Sequence, residues 1–270
     1  MQVAHKVTAG IEDRIAGGIY ASLNVINEEF FPDDENSSYM SSVISIISVL
    51  SDFKEGSAVP ERSTLEQIYN NHKLKKRCGC FVLRSLPYSI VKDVTLMEHD
   101  LKINKDDPIC FIVGALFVDA MTYGIAGCEP SYALGGALRK LERLKEEGMR
   151  YSSILTNGST DKLPVPEVEC EKILFYMGKI LVCMREEEAC KNLLGSIAHD
   201  PVALFVVVTL MGMYKGCTKT EEFFEKEIGY LKFNRFELYK AGYLENQIDL
   251  QKIVLDMSRN FRSEFGEYVV

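Results

Sequence analysis

The sequence predicts an all-α protein that folds as a single domain over residues 1–270, and three observations carry this prediction. Apolar residues recur at helical spacing along most of the chain, and no two alternating strand patterns flank a turn signal. Two long apolar segments begin with Asp107-Pro108 and Asp200-Pro201. Aspartate can cap free N–H groups and proline fits the first helical turn, so both pairs indicate helix starts. A helix that is apolar on nearly every face belongs in the core.

The N-terminal part of the chain contains four helical patterns. They cover residues 12–24, 38–53, 64–70 and 79–91. Gly17-Gly18 in the first pattern predicts close packing against another helix, because a residue without a side chain lets two backbones approach. The polar residues before the second pattern can cap it. Pro87 is expected to break the fourth pattern, which would otherwise also suit a strand.

The rest of the chain predicts several more helices joined by short connections. They cover residues 108–123, 134–147, 168–184 and 186–197, the segment from 201 onward, and two or three helices after 218. In the second of these, the four leucines from Leu134 to Leu144 recur at helical spacing and are expected to face the core. Residues 152–166 contain Gly, Asn, Thr and two prolines, so they are predicted to form the longest loop.

The charge balance restricts the partners that the chain can have. The formal net charge is −8 and the pI is near 5.2, which argues against broad binding to nucleic acids or anionic membranes because both need a positive field. The longest apolar run, residues 202–213, is shorter than the ~20 residues that cross a bilayer, so no membrane partner is expected. One compact basic run is interpreted first as a solvated surface, with RNA contact as the alternative. It consists of Lys73, Lys75, Lys76 and Arg77.

The spacing of cysteine and histidine residues does not favour a metal site. The eight cysteines are scattered, and Cys78-Gly-Cys80 lacks a second pair or a histidine at zinc-binding spacing. Scattered free cysteines are typical of small core residues in a reducing compartment, so the cytoplasm is the predicted location. His199 directly precedes Asp200. We expect a surface histidine beside a capping aspartate, with a general base as the alternative.

Four segments follow one another in an informative order. They are Asp13-Arg14 with Gly17-Gly18, the helix start at residues 37–41, the run 79–87 with Arg84 and Pro87 followed by Asp107-Pro108, and the helix from His199-Asp200 to Gly216. Their order resembles that of the motifs of the ADP-ribosylglycohydrolase family, which includes the dinitrogenase-reductase-activating glycohydrolases. The likeness spans roughly residues 10–220 and rests on helix spacing together with these few residues.

The resemblance implies a multi-helix fold in which two Mg²⁺ ions, held by carboxylates at helix starts, orient ADP-ribose and a water for glycosidic cleavage. Mg²⁺ needs oxygen ligands, chiefly carboxylates. In this chain, Asn36 and Ser37 stand where the family's Thr-Asp-Asp-Thr motif has its two aspartates. Of the family's late aspartate pair only Asp200 remains, and Pro201 follows it. The expectation is therefore that the metal centre and the catalytic activity are lost.

Carried over residue by residue, the resemblance implies a degenerate binding cleft with no catalytic residue, no metal ligand and no cofactor. Its residues are Asn36, Ser37, Ser38, Asp107, His199 and Asp200. The expected role is a binding or scaffolding module for a protein partner, an ADP-ribosylated group held without cleavage, or a large assembly such as the ribosome. Two alternatives stay open. One is an active, divergent Mg²⁺-dependent glycohydrolase in which Asp33 and Asp34 replace the missing aspartates, and the other is an unrelated helical interaction protein.

Overall fold

The computed structural model describes residues 10–28, 108–158, 164–227 and 250–265. Within these ranges the chain is helical and has no strand, so the predicted all-α class is confirmed for them. The described helices are α1 (Ile11–Glu28), α2 (Pro108–Ile125), α3 (Pro130–Glu142), α4 (Lys145–Gly158), α5 (Glu169–Cys183), α6 (Glu187–Ser196), α7 (Pro201–Lys215), α8 (Cys217–Glu227) and α9 (Leu250–Phe265). The helices predicted over 38–53, 64–70 and 79–91 lie outside the described residues.

Helix α7 lies at the centre of the described part of the chain. Every residue from Ala203 to Met213 is buried, and the helix packs against α1, α2, α5 and α8. Asp200 and Pro201 fix its start. Gly216 ends it with a φ of 85°, a conformation that residues with a Cβ rarely adopt. The core helix predicted from the apolar run is therefore confirmed.

Helices α1 and α7 touch through their backbones at a pair of glycines. A Cβ at Gly17 would collide with the Gly212 carbonyl oxygen, and a Cβ at Gly212 would collide with the backbone of Gly17. Gly18 lies against the side chain of Met213. The close packing predicted from the two adjacent glycines of α1 is therefore confirmed, and its partner is the central helix.

Hydrogen bonds and ring contacts define the directions of the helices. Helix α1 runs antiparallel to α7, because the start of α1 is hydrogen-bonded to the start of α8, which directly follows α7. Helix α2 runs parallel to α7. The ring centroids of Phe117 and Phe205 lie 6.3 Å apart, and further along both helices a Cβ at Gly124 would lie 2.8 Å from the Tyr214 ring.

These directions place the polar residues of interest at two opposite ends of the bundle. We call one the Asp200 end, where α2, α5 and α7 start, with Lys172, Tyr176, His199 and Asp200. We call the other the Arg14 end, where α1 starts and α2 and α7 finish, with Asp13, Arg14, Cys128 and Tyr214. Because α1 is antiparallel to α7, the chain leaves α1 at the Asp200 end and re-enters α2 at that same end.

The prediction of a loop over residues 152–166 is wrong for residues 152–158, which are helical. Helix α4 continues to Gly158, and the hydroxyl of Thr156 donates a hydrogen bond to the Ser152 carbonyl one turn earlier. Leu155 is buried, and a Cβ at Gly158 would collide with the Phe175 carbonyl oxygen on α5. Packing against α5 thus outweighs the weak helix propensity of Ser, Thr, Asn and Gly. Among the described residues between α4 and α5, 164–168 form an irregular connection.

The predicted bounds of the helix over residues 134–147 are also wrong. Helix α3 ends at Glu142, residues 143–144 form a turn, and α4 begins at Lys145. Leu144 lies in that turn and is 38% exposed, so it does not face the core as predicted. The other three leucines do face the core, because Leu141 is fully buried and Leu134 and Leu138 are partly buried and pack against it. The buried residues of α3 are Ala133, Ala137 and Leu141.

Candidate functional site

Asp200 caps the helix that it precedes. Its Oδ1 atom accepts a hydrogen bond from the Ala203 N–H at 3.1 Å, and Pro201 occupies the first helical position. A helix start leaves four N–H groups without partners inside the helix, and this carboxylate satisfies one of them. The capping role predicted from the Asp-Pro pair is therefore confirmed for α7.

The second oxygen of Asp200 is held by a lysine from another helix. Lys172, in the first turn of α5, places its Nζ atom 2.9 Å from Asp200 Oδ2. The two side chains are 28% and 26% exposed, so water screens the ion pair only in part. Both carboxylate oxygens of Asp200 thus have a partner, and an ammonium group neutralises the negative charge.

Tyr176 lies one turn after Lys172 on α5 and is buried. Burial raises the pKa of Tyr176, and the negative charge of Asp200 raises it further, so the hydroxyl stays protonated at neutral pH. Sequence reasoning missed both α5 residues. Their four-residue spacing shows that they share a face of one helix, but nothing in the sequence alone connects that face to Asp200.

His199 lies in the turn before Asp200 and is exposed, as the capping interpretation predicts. The other predicted cleft residues and the basic run lie outside the described residues. They are Asn36, Ser37, Ser38 and Asp107, with the alternative ligands Asp33 and Asp34 and the run Lys73, Lys75, Lys76 and Arg77. Asp107 directly precedes the first residue of α2, and α2 starts at the Asp200 end.

Lys172 competes with any metal ion for the Asp200 carboxylate. In the described part of the chain, no group of three or more His, Cys, Asp or Glu side chains could hold one. A Mg²⁺ ion about 2.1 Å from Asp200 Oδ2 would lie within about 5 Å of the Lys172 ammonium. At that distance the repulsion is about 3 kcal/mol per unit of ion charge for an effective dielectric constant of ~20. The ion pair is therefore the favoured state of this carboxylate as long as the lysine stays in place.

At the Arg14 end, a carboxylate caps a helix to which it does not belong. Helix α8 begins directly after Gly216, which has no side chain to cap it. Asp13 Oδ1 accepts from the Thr218 N–H at 3.2 Å and from the Thr218 hydroxyl at 3.1 Å. Asp13 thus supplies from α1 the cap that α8 lacks. The Asp13-Arg14 pair, which carries part of the family resemblance, therefore has a structural role here.

The cysteines only partly fit the expected pattern of free thiols. Cys190 is buried, and burial raises its pKa to about 11, which is typical of an unreactive core thiol. Cys170 is disulfide-bonded, which the sequence analysis did not predict. Because disulfides are typical of oxidising compartments, the cytoplasmic location stays a prediction. The free cysteines of the described residues are Cys128, Cys183, Cys190 and Cys217.

Comparison with known proteins does not assign a family to this chain. No protein-family model, curated protein or solved structure matches it. Among the described helices, none combines the length and the apolar character that crossing a membrane requires. The function therefore has to be inferred from the residues at the two ends of the bundle.

Proposed function

We propose that the chain is a catalytically silent member of the ADP-ribosylglycohydrolase family, retained as a binding or scaffolding module. The observation that carries this proposal is the state of Asp200. The resemblance assigns a Mg²⁺-binding carboxylate to this position, yet one oxygen caps α7 and the other pairs with Lys172. A lysine ammonium thus supplies the positive charge that a metal ion would bring.

The arrangement of the helices supports the same proposal. Helices α2 and α7 run parallel and start at the same end of the bundle. Asp107 and Asp200 directly precede these two starts in the sequence. Segment 29–107, which contains Asn36 and Ser37, follows α1 in the sequence and precedes α2, and the described ends of both helices lie at that end. The residues of the proposed cleft therefore belong to stretches of chain that begin or end at the Asp200 end.

A cleft that holds a lysine in place of a metal can still bind a ligand without cleaving it. Lys172 is partly exposed and carries three N–H donors. Tyr176 stays protonated one turn away and adds a hydroxyl donor. Such donors suit an acidic group on a protein partner or on a large assembly such as the ribosome, and also the phosphates of an ADP-ribosylated group.

Calorimetry with MgCl₂ tests the loss of the metal centre. The wild-type chain should bind Mg²⁺ no more tightly than about 1 mM. Replacing Asn36→Asp together with Ser37→Asp restores two carboxylates and should raise the affinity. Adding Lys172→Met removes the competing ammonium and should raise it by a further ~10-fold or more. As a matched control, Lys140→Met opens a different Lys–Asp pair, with Asp119, and should leave Mg²⁺ binding unchanged.

The active alternative makes the opposite prediction for the wild-type chain. It requires tight Mg²⁺ binding and release of ADP-ribose from a modified peptide, with Asp200→Asn abolishing the release. That result would rule out the silent assignment. If the Asn36 and Ser37 replacements leave Mg²⁺ affinity unchanged, the alignment of residues 35–38 with the family motif is wrong.

The binding role needs a measurement of its own. ADP-ribose should bind the wild-type chain without being cleaved if the ligand is an ADP-ribosylated group. If it does not bind, the partner is identified from what co-purifies with the chain from its own cell. The Lys172→Met variant should capture less of this partner than the wild type, whereas Lys140→Met should capture the same amount. The reason is that Lys172 lies at the Asp200 end and Lys140 does not. Equal capture by both variants would place the binding surface elsewhere.

A further inference from the structure

Arg14 has an unusual environment for an arginine that is only partly exposed. Its Nη1 atom donates to the Ile125 carbonyl at 3.4 Å, a long hydrogen bond, and its Nε–H is buried without a partner among the described residues. No carboxylate in the described ranges forms an ion pair with it. The nearby Asp13 is hydrogen-bonded to the start of α8 instead. Burial lowers the pKa of Arg14, and the nearby Cys128 and Asp13 raise it.

Tyr214, in the last turn of α7, presents a second donor without a partner. Its hydroxyl is buried and has no hydrogen-bond partner among the described residues. Burial raises the pKa of Tyr214, and Cys128 and Tyr123 add to the effect, so the group remains an O–H donor at neutral pH. Buried polar groups without partners are rare in native proteins, because each one loses its hydrogen bonds to water.

Two glycines at the end of α2 contact the two side chains that carry these donors. The Tyr214 ring lies against Gly124, where a Cβ would be 2.8 Å from it. The Arg14 guanidinium lies against Gly127, where a Cβ would be 3.0 Å from Cζ. The Gly127 N–H donates to the Gly124 carbonyl at 3.0 Å, so both contacts occur within the same turn. Cys128 follows directly and interacts electrostatically with both donors.

The structural role of Arg14 does not account for this arrangement. Its bond to Ile125 places a positive charge at the C-terminal end of α2, which stabilises the helix dipole. That bond uses Nη1 and leaves Nε–H without a partner. It also does not involve Tyr214. Two donors, one of them cationic, therefore share the need for an acceptor, and a negatively charged oxygen would satisfy both.

We propose that Arg14 and Tyr214 form a binding site for a small oxyanion, the carboxylate or phosphate group of a ligand. The Nε–H and the hydroxyl donate to its oxygens, and its negative charge offsets that of the half-buried guanidinium. Arginine is suited to both groups because its planar donors match their geometry. The site lies at the Arg14 end, so it does not depend on the function proposed for the Asp200 end.

Calorimetry with sodium phosphate and with sodium acetate, at constant ionic strength, tests the site. The wild-type chain should bind at least one of the two anions saturably. Arg14→Gln should abolish this binding, and Tyr214→Phe should weaken it about 10-fold, the usual effect of losing one hydrogen bond to a charged group. Arg185→Gln is the matched control. It makes the same change of charge at an exposed arginine that pairs with Glu129, and should leave binding unchanged.

A second readout needs no variant and so does not depend on the folding of Arg14→Gln. Cys128 is free and partly buried, and a bound anion beside it should slow its alkylation by iodoacetamide. The rate is measured on the Cys128 peptide by mass spectrometry, in phosphate or acetate and in chloride of equal ionic strength. Thiolate is the reactive form, and a neighbouring negative charge disfavours it.

The relative affinities for phosphate and acetate identify the kind of ligand. Tighter binding of phosphate identifies a phosphorylated ligand, and binding of acetate at least as tight identifies a carboxylate ligand. The proposal is wrong if neither anion binds below about 10 mM, a range that calorimetry reaches. It is equally wrong if Arg14→Gln binds like the wild type, or if Arg185→Gln loses binding to the same extent, since either result indicates nonspecific attraction to the surface.

Discussion

The two ends of the bundle use an aspartate in the same way but differ in what surrounds it. Asp200 caps its own helix and is neutralised by Lys172, so every polar atom of that carboxylate has a partner. At the Arg14 end, Asp13 caps a neighbouring helix, and the Nε–H of the adjacent Arg14 is buried without a partner in the described part of the chain. The end with the stronger sequence signal is therefore the one whose carboxylate is electrostatically satisfied.

The largest expected effect concerns the helix that joins the two ends. Phe205 is buried in α7 and packs against Phe117 of α2. Phe205→Ala should lower the free energy of unfolding by ~3–5 kcal/mol, because it leaves a cavity in the core. Urea denaturation followed by circular dichroism measures this change. A loss below about 1 kcal/mol would show that α7 is not central and that the two ends are not parts of one cooperative unit.

A smaller effect is expected from the glycine contact near the Arg14 end. Gly17→Ala places a methyl group against the backbone of α7, which cannot move aside as a side chain could. It should destabilise the protein by about 1–3 kcal/mol in thermal or urea unfolding. Gly195→Ala in α6 is the control, since a Cβ there meets nothing within 4 Å. It should be neutral or slightly stabilising. Equal effects of the two variants would show that α1 and α7 do not pack closely.

The two capping aspartates can be compared directly. Asp200→Ala removes a cap and an ion pair and should cost about 2 kcal/mol, whereas Asp13→Ala removes a cap alone and should cost about 1 kcal/mol. The asparagine variants separate these terms. Asparagine can still cap, so Asp13→Asn should cost only a few tenths of a kcal/mol, and Asp200→Asn at most about 1 kcal/mol. If Asp13→Ala proves the costlier change, the ranking of the two ends is reversed.

A pH dependence due to Cys190 appears only at alkaline pH. Burial raises its pKa in the folded state from 9.0 to about 11, so the folded chain holds the thiol proton more tightly than the unfolded chain. The resulting stability is fully present below pH 9 and is lost as the pH rises towards 11. Unfolding curves of Cys190→Ala and wild type should therefore converge over that interval. Curves that stay parallel would show that Cys190 ionises equally in both states.

Sequence reasoning located the helices whose signals are local. Asp200-Pro201 and the apolar run behind it predict α7, and Gly17-Gly18 predicts a close helix contact, though not with which helix. The helix bounds that were predicted wrongly depend on contacts between helices. Residues 152–158 are helical because Leu155 and Gly158 pack against α5, a contact between elements that no local pattern reveals.

The candidate sites were predicted less completely than the fold. Capping by Asp200 followed from its position before proline, but its partner Lys172 comes from a different helix. Arg14 and Tyr214 are far apart in the sequence, and only the packing of the helices shows that Arg14 Nε–H and the Tyr214 hydroxyl are buried without a partner among the described residues. Such features become visible only when the packing of the chain is known.

Glycine at positions 17 and 212 has a consequence for how this protein can vary. Since each position faces the main chain of the other helix, neither can accept alanine unless the helices move apart, and changing both together would make the collision worse. A saturation mutagenesis survey should therefore find these two positions among the least tolerant of substitution. Distant homologues should keep both glycines even where their acidic residues have diverged, so this pair would be the better marker of common descent.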